Sequence, residues 1–369
     1  MKKPLFPALA AALMLLAACA APETVPTDTP APAPMLSPTE TPEAEPSAAP
    51  WPPGTGTETQ TVLSAPIEWV EESEMTGGEL MPAYIDEGGE LLGPAGFDVD
   101  AGSVYILNTA DNSAYVYAGG ELERQVSLDV TGLYAIRMAV EDGNVYIFGV
   151  EQDTRMPAFA AVYADGTAES LPFMEQLSSE AVASMTAEDG TLRVEAGGRS
   201  WSFDLADPEA RARSSIKNTL ADGTTWSSRM TGSGTVVSDS MALDITLPDG
   251  RELSIPFKPS SPGIWLGGLR LLRCGGGEYD VYVVEIAQDE EYLIHTAEYI
   301  LRVDEQGTPL GVYAGEEADQ FYSARSDGGA LYTMGVDETS VTVKRAPDVY
   351  TTAWADYVSP LADITLLEE

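Results

Sequence analysis

Apolar and polar residues alternate in short runs along most of this chain, and tight turn signals separate the runs. Phe97-Asp98-Val99-Asp100 leads into Ala101-Gly102 and then Val104-Tyr105-Ile106. Met138-Ala139-Val140-Glu141, Asp142-Gly143 and Val145-Tyr146-Ile147 repeat the arrangement, and Met185 to Val194 repeats it around Asp189-Gly190. Alternation with a period of two on both sides of an acidic residue–glycine turn predicts β-hairpins. Weaker copies centre on Asp222-Gly223, Gly277 and Gly328. The first unit reads as four short strands, Gly96–Asp100, Val104–Thr109, Ala114–Tyr117 and Glu123–Leu128, with turns at Asn112-Ser113 and Gly119-Gly120. Long helical periodicity is absent; Asp207 to Lys217 alone reads as briefly helical.

Spacing decides what the hairpins build. Steps between the turn glycines 102, 143, 190, 223, 277 and 328 are 41, 47, 33, 54 and 51 residues, a mean of about 45. That is the period of a four-stranded propeller blade. Gly93-Pro94-Ala95-Gly96-Phe97-Asp98-Val99-Asp100, with Val104-Tyr105-Ile106 and Tyr115-Val116-Tyr117 behind it, resembles the opening of an NHL-type or related six-bladed β-propeller repeat. The match runs for about 90 residues and degrades beyond Gly198. The expectation is an all-β fold, a β-propeller of six four-stranded blades over 62–369, with a two-domain β-sandwich as the alternative. In such propellers a strand from one terminus closes the ring, and Val62–Val70 pairing with Ser340–Lys344 is the expected closure.

The N-terminus follows different rules. Lys2 and Lys3 precede an apolar run from Leu5 to Ala21 broken by Pro7 and Cys19, too short for the roughly 20 residues of a membrane-spanning helix. Leu16-Ala17-Ala18-Cys19 resembles the lipobox of bacterial lipoproteins. The resemblance implies removal of residues 1–18, lipidation of Cys19, and a chain held on the outside of a cell membrane. An ordinary signal peptide cut near Ala18-Cys19-Ala20 is the alternative. Residues 20–53 hold 11 prolines, a composition that favours extended, coreless chain, so 19–61 is expected to be a disordered tether.

Charge and chemistry narrow the function classes. The formal net charge is −40, and loss of Lys2 and Lys3 with the leader takes it to −42, which disfavours nucleic acid as a partner. With Cys19 lipidated, Cys274 has no cysteine to pair with and is expected to be a small packed residue. The one histidine, His295, lies in an alternating run beside Leu293 and Ile294, where a structural role outweighs catalysis. No Gly-x-Ser-x-Gly elbow, Walker loop or Cys-x-x-Cys pair occurs. Asp98 and Asp100 lack the further ligands of an EF-hand loop and read as turn acids, and Thr219 to Trp226 resembles the sialidase Asp-box with one residue missing. Neither a metal nor a cofactor is expected.

Aromatic residues near turns, Trp226, Trp265 and Tyr322, and a basic cluster of Arg211, Arg213, Lys217 and Arg229 remain. Trp226, Arg229, Trp265 and Tyr322 are the candidate contacts for a ligand or partner. The expected function is a monomeric, membrane-anchored binding module for an envelope protein or an extracellular ligand such as a glycan. The alternative is a carbohydrate-active hydrolase or lyase using carboxylates on the propeller face.

Overall fold

The computed structural model describes residues 57–70, 80–85, 91–177, 182–196, 199–220, 222–232, 237–289, 292–314, 319–320, 330–337 and 339–364. Cys19, the tether, Tyr322 and the Gly328 turn lie outside them. Five sheets of four consecutive antiparallel strands follow one another along the chain. Blade 1 runs from Pro94–Asp100 to Glu121–Ser127, blade 2 from Leu133–Glu141 to Ala168–Leu171 and blade 3 from Val182–Glu188 to Arg213–Ser215. Blade 4 runs from Asn218–Thr219 to Glu252–Phe257 and blade 5 from Trp265–Gly275 to Pro309–Tyr313. The sixth sheet is built from both ends of the described chain. Asp319–Gln320, Tyr332–Val336 and Ser340–Arg345 supply three strands, and Gln60–Trp69 supplies the fourth. That closing strand pairs with Ser340–Arg345 from Gln60 opposite Arg345 to Pro66 opposite Ser340. Met81–Ile85 and Leu91–Leu92 extend the same sheet to six strands. The first strand of blade 2 packs against those of blades 1 and 3, and the whole is a β-propeller.

The turns fix the repeat. Ala101-Gly102, Asp142-Gly143, Asp189-Gly190 and Gly276-Gly277 each join the first and second strands of a blade, with φ positive at both residues. Paired positive φ values are those of the hairpin turns whose twist matches the flanking strands. The acids before these turns have a structural task. Asp100 Oδ2 accepts from the Gly143 amide at 2.8 Å, and Glu141 Oε1 accepts from the Gly190 amide at 2.7 Å. Each carboxylate thus clasps the turn of the next blade, which accounts for the recurrence of acids there.

A bulge recurs as well. Pairing of the first and second strands slips between Pro94 and Gly96, Ala135 and Arg137, and Val182 and Ser184 in three successive blades. In blade 2 the strand opposite the bulge carries Gly149, where an added Cβ would lie 2.1 Å from the Tyr134 carbonyl oxygen. No larger side chain fits there.

The core lies between blades rather than inside a single sheet. One cluster joins blades 6 and 1 through Leu63, Met81, Phe97, Ile106, Tyr115 and Val343, and another joins blades 2 and 3 through Phe148, Phe159, Phe173 and Phe203. At roughly 25 cal/mol per Å² of apolar surface removed from water, this blade-to-blade contact is the main stabilising term. The Asp207–Lys217 stretch is not helical. It forms a turn at Pro208-Glu209 and then the outer strand Arg213–Ser215 of blade 3, because Trp201 and Ser202 offer an open sheet edge to pair with.

Blade 5 departs from the pattern. Its first three strands are 11 residues each, against six or seven in the strands of blade 1. The extra residues add on the order of 16 Å of hairpin. The C-terminal segment 346–364 straps along this blade, joined to its fourth strand by a bridge between Val312 and Thr352, with the mutually stacked Trp354 and Tyr357 rings tilted against Tyr299.

Candidate functional site

Up-and-down blades give the ring two dissimilar ends. One end carries the turns between first and second and between third and fourth strands, among them Asp142-Gly143, Asp189-Gly190 and Asp249-Gly250. The other carries the loops between second and third strands and the connections between blades. Several large apolar side chains left in solvent lie at this second end, while Leu310, at the start of the fourth strand of blade 5, and Val349, on the C-terminal segment, are exposed elsewhere. Val130 (60 % exposed) is on the connection into blade 2, Met156 (59 %) on a blade 2 loop, and Ile216 (72 %) on the connection into blade 4. Met230 borders the corresponding loop of blade 4, and Trp69 ends the closing strand at the same end.

The most prominent group is the tip of the long blade 5 hairpin, where Tyr292, Leu293 and Ile294 are at least half exposed. The tip is held in one shape. The Asp289 carboxylate accepts from the Leu293 amide at 2.9 Å and sits 2.8 Å from His295 Nε2. The Gln288 amide donates to the Tyr292 carbonyl at 3.2 Å, and Tyr292 takes a positive φ of 64°. His295 therefore serves to pin the hairpin through Asp289. The signal was present in the sequence as three successive large apolar residues behind Asp289-Glu290-Glu291, but alternation alone assigns them to a strand.

Of the four residues singled out from the sequence, Tyr322 lies outside the described residues and the other three occupy different surroundings. Trp226 is buried between blades 4 and 5 beside Leu243, Leu266 and Leu271. Trp265 opens the first strand of blade 5 opposite Ile286, half-buried at the root of the protruding hairpin. Arg229 lies on blade 4, where Nε donates to Asp244 at 2.7 Å and Nη2 to Ser254 at 3.2 Å. That guanidinium, with the Ser254 hydroxyl, holds the Asp244 carboxyl below its usual range. Lys217 donates to Thr246 Oγ1 on the same blade at 2.8 Å. Cys274 is half-buried beside Thr224 and Asp222 at a blade 4 turn.

A cavity of about 40 Å³ is lined by Ser184 and Thr186 of blade 3, Thr219 of blade 4 and Arg270 of blade 5, space for a few water molecules. The strongest buried charges hold the strap. Asp280, fully buried, accepts from Arg273 Nε at 2.7 Å, Arg302 Nε at 2.8 Å and the Tyr350 hydroxyl at 2.8 Å. Arg302 also donates to the Asp348 carbonyl at 2.7 Å and lies 4.2 Å from the Tyr350 ring centre. Glu285, equally buried, accepts from the hydroxyls of Ser260 at 2.8 Å, Tyr299 at 3.0 Å and Ser359 at 3.0 Å. Both carboxylates are spent on fixing the C-terminal segment to blade 5. Burial pushes Asp98 up to about 7, against the lowering effect of its bonds from the Val140 and Val99 amides. Among the described residues no group of three or more His, Cys, Asp or Glu side chains is placed to hold a metal ion.

The fold defines the chain as a β-propeller protein. No protein-family model matches it, and no curated protein does. Solved structures with a similar arrangement include virginiamycin B lyase from Staphylococcus aureus, at 13 % identity and a TM-score of 0.37, covering 68 % of this chain and 94 % of that one. YCF48 bound to D1 peptide is similar at 10 % identity and a TM-score of 0.38, covering 68 % and 80 %. The N-terminal domain of Nup159 is similar at 10 % identity and a TM-score of 0.39, covering 87 % of both chains. At these values function rests on the chain's own surfaces.

Proposed function

We propose that this chain is a lipid-anchored, extracytoplasmic β-propeller whose apolar end binds another protein of the cell envelope. The observation that carries the reading is the unequal chemistry of the two ends. Solvent-exposed Tyr292, Leu293, Ile294, Met156, Val130 and Ile216 all belong to loops of one end, and grouped apolar exposure on a soluble surface marks interaction sites. Loops carried on a rigid scaffold commonly hold such contacts, and the pinned blade 5 tip needs little ordering on binding.

The acidic surface, at a chain charge of −40, favours a partner with a basic rim, which raises the encounter rate.

Two measurements test this reading. Cys19→Ala is expected to move the protein from the membrane fraction to the soluble fraction, and continued retention overturns the anchor. Crosslinking on intact cells from a photoreactive group at Tyr292 is expected to yield one discrete adduct. The adduct should vanish when Leu293 and Ile294 are changed to Ser. An adduct pattern unchanged by those substitutions overturns the apolar end as the binding surface.

A further inference from the structure

A second concave site lies on the outer flank between blades 2 and 3. It is an open pocket of about 440 Å³, within the range of about 300–1,000 Å³ typical of small-molecule sites. The Trp201 ring, on the third strand of blade 3, forms one wall, and Pro172 and Pro208 flank it. Gln176 builds the floor: its amide donates to the Ala210 carbonyl at 3.3 Å, and its oxygen accepts from the Ala212 amide at 2.6 Å. That pair of bonds ties the short helix Met174–Leu177 to the 207–212 turn and holds the pocket open.

The polar groups on the wall are available. Among the described residues, the side chains of Glu175, Glu209, Arg211 and Ser214 make no hydrogen bond or ion pair, although all four face the same cavity. Trp201 Nε1 is buried without a partner, and the ring packs against the core cluster of blades 2 and 3.

We infer that this pocket binds a neutral pyranose unit of an oligosaccharide. An aromatic plate with an apolar face matches the C–H face of a sugar ring. Carboxylates accept from ring hydroxyls, and a guanidinium donates to them in pairs. Two Glu against one Arg, within a strongly acidic chain, disfavour uronic or sulfated sugars. The site stands independently of the lipid anchor and of the apolar end.

The test uses the full chain with four neutral probes, maltotriose, cellotriose, mannotriose and tri-N-acetylchitotriose, read by ligand-observed NMR and calorimetric titration. At least one probe is expected to bind with a millimolar or lower Kd, with at least tenfold weaker binding for Trp201→Ala and at least threefold weaker for Arg211→Ala. Ser214→Tyr, which fills the pocket from the outer strand, is expected to abolish binding, and it keeps the test valid if Trp201→Ala lowers the folded fraction. Leu293→Ser with Ile294→Ser is expected to leave sugar binding unchanged, so failure here and failure of the apolar-end reading are separable. No binding by any probe at 20 mM overturns the inference, as does binding indifferent to both Trp201→Ala and Ser214→Tyr. Equal binding of trigalacturonic acid overturns the neutral preference. Trp201-dependent binding of a Thr-Pro repeat decapeptide, with none of the sugars, replaces the glycan with an extended peptide.

Discussion

Blades 1 to 3 and blade 5 use charged residues in opposite ways. In the first half of the ring, acids sit at hairpin turns, partly in water, and each bonds the turn amide of the next blade. Asp100 to Gly143 and Glu141 to Gly190 are successive copies of one contact. In blade 5 the acids are buried. Asp280 and Glu285 meet guanidinium groups of blade 5 and hydroxyl groups from the strap, and the contacts occur once each. A repeated, half-solvated clasp adds a small increment per blade and tolerates the loss of one. A buried ionic cluster is worth little net against an apolar substitute, yet its partial removal leaves charge stranded.

The difference can be broken at several points. Asp280→Ala removes the buried carboxylate that Arg273 and Arg302 share beside Tyr350, and the expected destabilisation is about 3–5 kcal/mol. Denaturant unfolding measures it, and a loss below 1 kcal/mol would mean that the strap is not held by this cluster. Paired removal of the clasps by Asp100→Asn and Glu141→Gln is expected to cost about 1–2 kcal/mol in total. The two should be close to additive, because each carboxylate bonds a different turn glycine.

A pH series sharpens the same contrast. The Asp98 carboxyl is raised by burial to about 7 from 3.8, so folding favours its protonated form. Its stabilising contribution is full below about pH 4 and is lost as pH rises through about 7. The midpoint of the unmodified chain, taken relative to Asp98→Asn, is therefore expected to fall between pH 4.5 and pH 8. A difference that stays flat or rises shows that Asp98 is ionised throughout. The smallest effect belongs to the tip: Leu293→Ser with Ile294→Ser is expected to change stability by less than about 0.5 kcal/mol, since both side chains are half exposed. A larger loss would place the tip in a structural rather than a binding role.

The regular half of the ring was legible in the sequence because its information is local. Hairpin turns at Ala101-Gly102, Asp142-Gly143 and Asp189-Gly190 are specified by two residues each, and strand faces by a period of two. The ring closure was expected at Val62–Val70 from the resemblance to six-bladed propellers, and Gln60–Trp69 supplies it. What could not be read was which charged or aromatic residues would be spent on packing. Trp226 beside a turn resembles a pocket residue, and only the approach of blade 5 buries it. Asp207–Lys217 has a locally helical composition, but the free edge beside Trp201 draws Arg213–Ser215 into the sheet.

The sequence by itself determined the strand, turn and blade period of this protein, because each is set by side chains within a few positions of one another. The tertiary structure alone decided the rest. It sorted exposed apolar loops to one end and acidic turns to the other, folded the C-terminal strap onto Asp280 and Glu285, and left Trp201 with four unpaired polar groups around an open flank pocket. Those outcomes depend on which distant segments share a blade edge or an interblade layer, and solvent exposure is fixed only when those layers close.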